Sequence, residues 1–236
     1  MSQLNPTTVV PLASASLLGL FFVYVYLQKR QEYLLAWSTG WFLIAVHFVP
    51  TMLPPPIALP KWVWSANEWI LAIAALSFYC SARLYGRLAV HFRAIFAVAA
   101  ALAVWAVAFD RGWTRAPLGL SVTLTFFFVA RTFWEEGQKQ ESRADLLLAI
   151  TFVFWGLLRV ATVVQVWLGR FQEINLLPLV ALPELFAAVL MVMAVYEEER
   201  RRVERNMLAL SNLNLATSSF VGGEIQRCWR RRSIES

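Results

Sequence analysis

Read as apolar and polar positions, the chain consists of seven apolar runs separated by short polar connections. A helix needs about 20 apolar residues to cross a bilayer core, and runs of that order fall at roughly Thr8–Leu27, Leu34–Leu53, Trp62–Tyr85, Ala94–Phe109, Ala116–Trp134, Leu146–Leu168 and Leu177–Tyr196. The pattern predicts an all-α chain, a polytopic membrane helix bundle of about seven spans over residues 1–196. A cytoplasmic helix is expected over 197–227 and a basic tail over 228–236. The fourth run is the shortest and the fifth carries Ser121, Thr123 and Thr125, so counts of five or six stay open. Pro54–Pro60, "PPPIALP", reads as a stiff turn, because consecutive prolines cannot continue a helix.

Composition agrees with this pattern. Hydrophobic residues make up 59% of the 236 positions and charged ones 15%, and mean hydropathy is +0.56, which is the balance of a membrane protein. The formal charge of +6 lies beside apolar runs, so it fits anionic headgroups and topology rather than nucleic acid. Lys29 and Arg30 follow the first run instead of preceding it, which makes that run a first span rather than a cleaved signal. Cys80 and Cys228 stand far apart in unlike settings and define no disulfide framework.

With seven spans, Lys29, Arg30, Arg83, Arg87, Arg93, Arg131, Lys139 and Arg143 fall on the side of the C-terminus, against Lys61, Arg111, Arg115 and Arg170 on the other. Basic loops stay in the cytoplasm. The expected topology is therefore a multi-pass membrane protein, N-terminus outside and C-terminus cytoplasmic.

Ionisable residues inside spans are costly and are functional candidates by default. Four stand out: His47, Glu68, Arg159 and Glu184, the last directly after Pro183. Counting the helical rise from the outer ends puts His47 and Glu68 roughly 9 Å deep, Glu184 about 10 Å and Arg159 about 13 Å. They share one layer, expected to bind a small polar ligand together with Trp64, Asn67, Trp69 and Gln165. The structural alternative is an Arg159–Glu184 pair tying the last two spans together.

Other chemistry is missing from the sequence. Lys29, Lys61 and Lys139 are the only lysines and all lie in expected loops, which excludes a retinal Schiff base within the bundle. His47 and His91 belong to opposite ends, against a two-His haem. There is no H-E-x-x-H, G-x-S-x-G or Gly-rich phosphate loop, and "VGGE" at Val221–Glu224 is a poor match to the cyclase G-G-D-E-F motif. No catalytic residue, cofactor or metal is expected, and the chain reads as no enzyme.

Past the last run, Glu197–Glu199 and Arg200–Arg202 set acidic and basic groups three and four residues apart, which supports a solvated helix. Val203, Met207, Leu210, Asn214, Thr217 and Val221 follow as a weak heptad seam with polar positions in its second half. Apolar spans joined by short loops and followed by a charged helix resemble the N-terminal membrane sensor regions of bacterial histidine kinases and diguanylate cyclases. "YLQKRQEYLLAWSTGWFLIAV" (Tyr26–Val46) and "RNMLALSNLNLATSSFVGGEIQR" (Arg205–Arg227) carry the likeness, the second resembling a helix that leads into a GAF domain. The resemblance implies a sensory module of a two-component or cyclase system, with a signalling helix that forms a homodimer; kinase and cyclase domains do not follow. The alternative reading is a small transporter or channel subunit.

The ending "CWRRRSIES" suits neither a coiled coil nor a domain. One set of permitted codons, preceded by an A and read one base earlier, gives Met-Leu-Ala-Glu-Ala-Leu-Asp-Arg-Val, a helical continuation. The expectation is a frame disruption near Arg227 that removes a GAF and output domain, against a genuine basic tail held to anionic lipid.

Overall fold

The computed structural model of the chain describes residues 6–50, 59–110, 116–167 and 177–232, with side chains over 9–50, 59–108, 116–164 and 183–211. The described residues form seven helices and no strand: α1 (Pro6–Lys29), α2 (Glu32–Phe48), α3 (Lys61–Tyr85), α4 (Phe92–Asp110), α5 (Ala116–Gln140), α6 (Arg143–Trp167) and α7 (Leu177–Arg232). Four stretches are long and apolar enough to cross a membrane, namely Val9–Lys29, Lys61–Tyr85, Ala116–Gln140 and Arg143–Val164. α2 has 17 residues, about 25 Å at the helical rise, and the apolar part of α4, Phe92–Ala108, is also short.

Helix ends differ from the apolar runs because a helix does not stop where hydropathy falls. α5 continues through Glu135–Gln140, where Arg131 Nε meets Glu135 Oε1 at 2.8 Å and Lys139 Nζ meets Glu136 Oε1 at 2.8 Å. Lys29, Lys61 and Lys139 consequently sit at helix ends and not in loops. α2 ends at Phe48, ahead of Pro50, while Thr51–Leu53 and most of the proline-rich turn lie outside the described residues.

Three hairpins reverse at one end of the bundle. Each uses a non-glycine residue in the left-handed region just after a helix: Arg30 (φ 54°), Arg87 (φ 53°) and Glu141 (φ 53°). The conformation costs roughly 1–2 kcal/mol at such residues, offset by caps on the last carbonyls. Arg30 N donates to Tyr26 O at 2.7 Å, Leu88 N to Arg83 O at 2.8 Å and Ser142 N to Gly137 O at 3.0 Å. The same end is tied across helices, with Ser81 Oγ donating to Tyr33 O at 2.8 Å and Tyr85 OH to Asp145 Oδ1 at 3.1 Å.

Packing centres on Phe78 of α3. Its ring lies 4.9 Å from Trp37 and 5.5 Å from Trp41 of α2, and 6.1 Å from both Phe152 and Trp155 of α6. Phe126 of α5 stacks on Trp155 at 4.7 Å. All six are buried. Apolar chains such as Leu17, Leu20, Phe96, Leu124, Phe128 and Leu157 point outward instead, the reverse of a water-soluble surface and suited to lipid. Residues through Met191 form one compact unit, and Val192–Ser236 form a second. In the second unit, Arg201 meets Glu197 at 3.2 Å and Arg200 meets Glu204 at 2.9 Å, one turn apart in each case.

α2 reaches Phe78 only because residue 40 lacks a side chain: a Cβ on Gly40 would lie 2.6 Å from that ring. Phe78 is enclosed by four other rings and cannot yield. At Gly156 the nearest atom would be at 3.4 Å. We expect Gly40→Val to destabilise the bundle by about 1–3 kcal/mol, the cost of overpacking, and Gly156→Ala to be close to neutral. Thermal unfolding of both variants in detergent checks the contrast, and equal midpoints would refute this packing.

Candidate functional site

At the end of the bundle opposite the hairpin turns, α2 and α3 meet polar to polar. His47, in the last turn of α2, lies with Nδ1 3.2 Å from the carbonyl oxygen of Asn67. A carbonyl can only accept, so Nδ1 carries the proton in this contact. Glu68 follows on α3. Arg159 stands on α6 one turn beyond Trp155, and Glu184 on α7 is buried at 4% exposure.

Sequence depth alone put these four residues in one layer, and the structure brings Arg159 within electrostatic reach of the other three. The charges of Arg159 and Glu68 act on His47, and those of Glu68 and Glu184 act on Arg159. The expected direct Arg159–Glu184 bridge is not made. Among the described residues, no ion pair within 4.0 Å joins Arg159 to either carboxylate. Trp69 is engaged elsewhere, donating from Nε1 to Ala99 O of α4 at 3.1 Å. The side chain of Gln165 lies outside the described residues.

Several buried polar atoms here have no protein partner. Asn67 Oδ1, Arg159 Nε and the indole Nε1 atoms of Trp41 and Trp155 are four, while Trp37 Nε1, also unpartnered, lies deeper among the rings beside Phe133. Each such atom forfeits about 1–3 kcal/mol unless water or a ligand meets it. Trp41 and Trp155 stack at 6.3 Å, so their indoles floor the layer that holds Arg159. The set offers N–H donors from Arg159 and the indoles, and acceptors from Asn67, Glu68 and Glu184. A small molecule with one donating and one accepting group matches it better than a hydrocarbon does.

A second buried polar group escaped sequence reasoning. Asp145 is fully buried at the start of α6, accepting from Tyr85 OH while its own amide meets Ser142 Oγ at 3.3 Å. Glu136 is buried nearby on α5 and accepts from Lys139 and Gln140. An acidic residue beginning the run "ADLLLAI" was the available signal, but nothing in the sequence paired it with Tyr85. No group of three or more His, Cys, Asp or Glu among the described residues could hold a metal ion.

The layer implies coupled charges. We expect Arg159→Leu and Glu184→Leu each to lower stability in detergent, and the double variant to fall short of their sum by about 0.5–3 kcal/mol. Additive losses, or no loss in any variant, would show that the two charges act independently. Compared with known proteins, the chain matches no family model, no curated protein and no solved structure.

Proposed function

We propose that the chain is a sensory module of the bacterial inner membrane, with seven spans, an outside N-terminus and a cytoplasmic C-terminus. In this reading, a small polar ligand at the His47–Glu68–Arg159–Glu184 layer biases the bundle between two packings. The bias passes along α7 to the helix beyond Tyr196. A ligand can do this only by binding the two packings with different affinity.

The observation that carries the proposal is the position of Glu184. It belongs to the buried polar layer and stands on the same unbroken helix that continues to Arg232. Pro183, immediately before it, lacks the amide hydrogen that a regular turn uses, a natural place for that helix to bend. The resemblance to sensor regions of histidine kinases and diguanylate cyclases supports the same reading. In the second unit Val203, Met207 and Leu210 are exposed at heptad spacing, which suits pairing with the same helix of a second copy.

A transporter would need a polar route from this layer to the Asp145–Tyr85 group at the other end. The closed ring cluster of Trp37, Phe78, Phe126, Phe152 and Trp155 stands between them, which favours the sensor.

The test is a chimera with a histidine-kinase output fused after Thr217. We expect Arg159→Leu and Glu184→Gln to change basal kinase output severalfold at equal expression. In the same membranes, a single cysteine at Met207 should crosslink between copies more readily than one at Ala209. Unchanged output in both variants would overturn the sensor reading, and equal crosslinking would overturn the seam.

A further inference from the structure

A groove of about 380 Å³ opens on the outer face of the α5–α6 pair. Its floor is small, because Ala130 and Ala149 bring little more than a methyl group to the seam between the helices, and both are buried. Phe127 and Ile150 wall it, and Arg131 and Trp134 stand at one end. From Phe127 to Trp134 the groove follows α5 for about 10 Å.

Its setting says what fills it. α5 and α6 both supply stretches long and apolar enough to cross a membrane, and the surface around the groove carries exposed Leu124, Phe128, Ile150 and Leu157. A hydrocarbon chain suits such a lining and water does not. The Arg131 end has a different character. The Arg131 side chain is 74% exposed, and it engages Glu135 through Nε alone. A guanidinium has five N–H donors, so four remain. Lys139, itself paired with Glu136, and Arg83 are the other cations beside Glu135, so three basic groups face two carboxylates and this corner keeps a net positive charge. Trp134 lies one turn beyond Arg131, a residue type suited to headgroup level.

We infer that this groove seats one anionic phospholipid, its phosphate on the Arg131 guanidinium and part of an acyl chain over Ala130 and Ala149. Apolar packing alone would accept any lipid tail, whereas the guanidinium selects an anionic head. The Glu135 carboxylate holds Arg131 in place at Nε and so turns its terminal N–H groups toward the lipid. This site is independent of the polar layer at the opposite end, and it stands or falls without the sensory reading.

The full chain, purified in a mild detergent, is loaded with equal amounts of phosphatidylglycerol and phosphatidylcholine of identical tails, and retained lipid is counted by native mass spectrometry. The expected result is about a fivefold preference for phosphatidylglycerol, the size of one cation's effect at a membrane surface. The charge-matched double variant Arg131→Gln/Glu135→Gln should abolish the preference. Val153→Trp, on the exposed groove wall, should reduce retention of both lipids without altering the thermal midpoint. A phosphatidylglycerol carrying a photoreactive tail should label peptides covering 127–134 or 149–153. Equal retention of the two lipids by the parent protein overturns the proposal. So does an equal loss of preference in Arg87→Gln, which would mean diffuse surface charge, or labelling spread evenly over all helices.

Discussion

A bilayer core supplies no water, so every polar group carried into it must find a partner inside the protein. That constraint explains most of the polar contacts in the bundle. Hydroxyls within the helices turn back on their own carbonyls: Ser16 to Leu12 O, Ser77 to Ile73 O, Thr125 to Ser121 O and Thr151 to Leu147 O. Where a hydroxyl reaches a neighbour instead, it joins two helices, as Ser38 does with Gly19 O at 2.8 Å. Against this thrift, the unpartnered atoms of Asn67, Arg159 and the three tryptophans stand out. Those of Asn67, Arg159, Trp41 and Trp155 lie within or beneath one layer, whereas Trp37 sits deeper among the rings, against Phe133.

The aromatic cluster around Phe78 gives the layer its rigidity. It holds α2, α3, α5 and α6 at a fixed spacing and keeps the two buried polar groups apart. On one side lie His47, Asn67, Glu68, Arg159 and Glu184; on the other, Tyr85, Asp145 and Ser142. The second group is satisfied and tightly turned, so it serves as an anchor. The first holds opposite charges that, among the described residues, make no ion pair with one another.

Much of the fold was legible in the sequence because hydropathy is summed over whole helices. All seven apolar runs correspond to helices, and boundaries moved only where polar turns stay helical, as at Glu135–Gln140, or where a proline follows, as at Pro50. The common depth of the four ionisable residues was legible for the same reason, since rise per residue is a property of one helix. Partnership was not. Which face of α6 meets α3 decides that Asp145 finds Tyr85. That facing depends on how Phe78 meets Phe152 and Trp155, which no periodicity reveals.

The proposal that the basic hairpin turns of this membrane bundle face the cytoplasm is tested most directly by sidedness. In a background with Cys80 and Cys228 replaced by serine, single cysteines are placed at Pro60, before α3, and at Arg87, after it. Spheroplasts are then treated with a membrane-impermeant maleimide before and after lysis. The account predicts that the cysteine at position 60 is labelled in intact spheroplasts and the one at 87 only after lysis. Labelling of both before lysis, or of the cysteine at 87 alone, would contradict it.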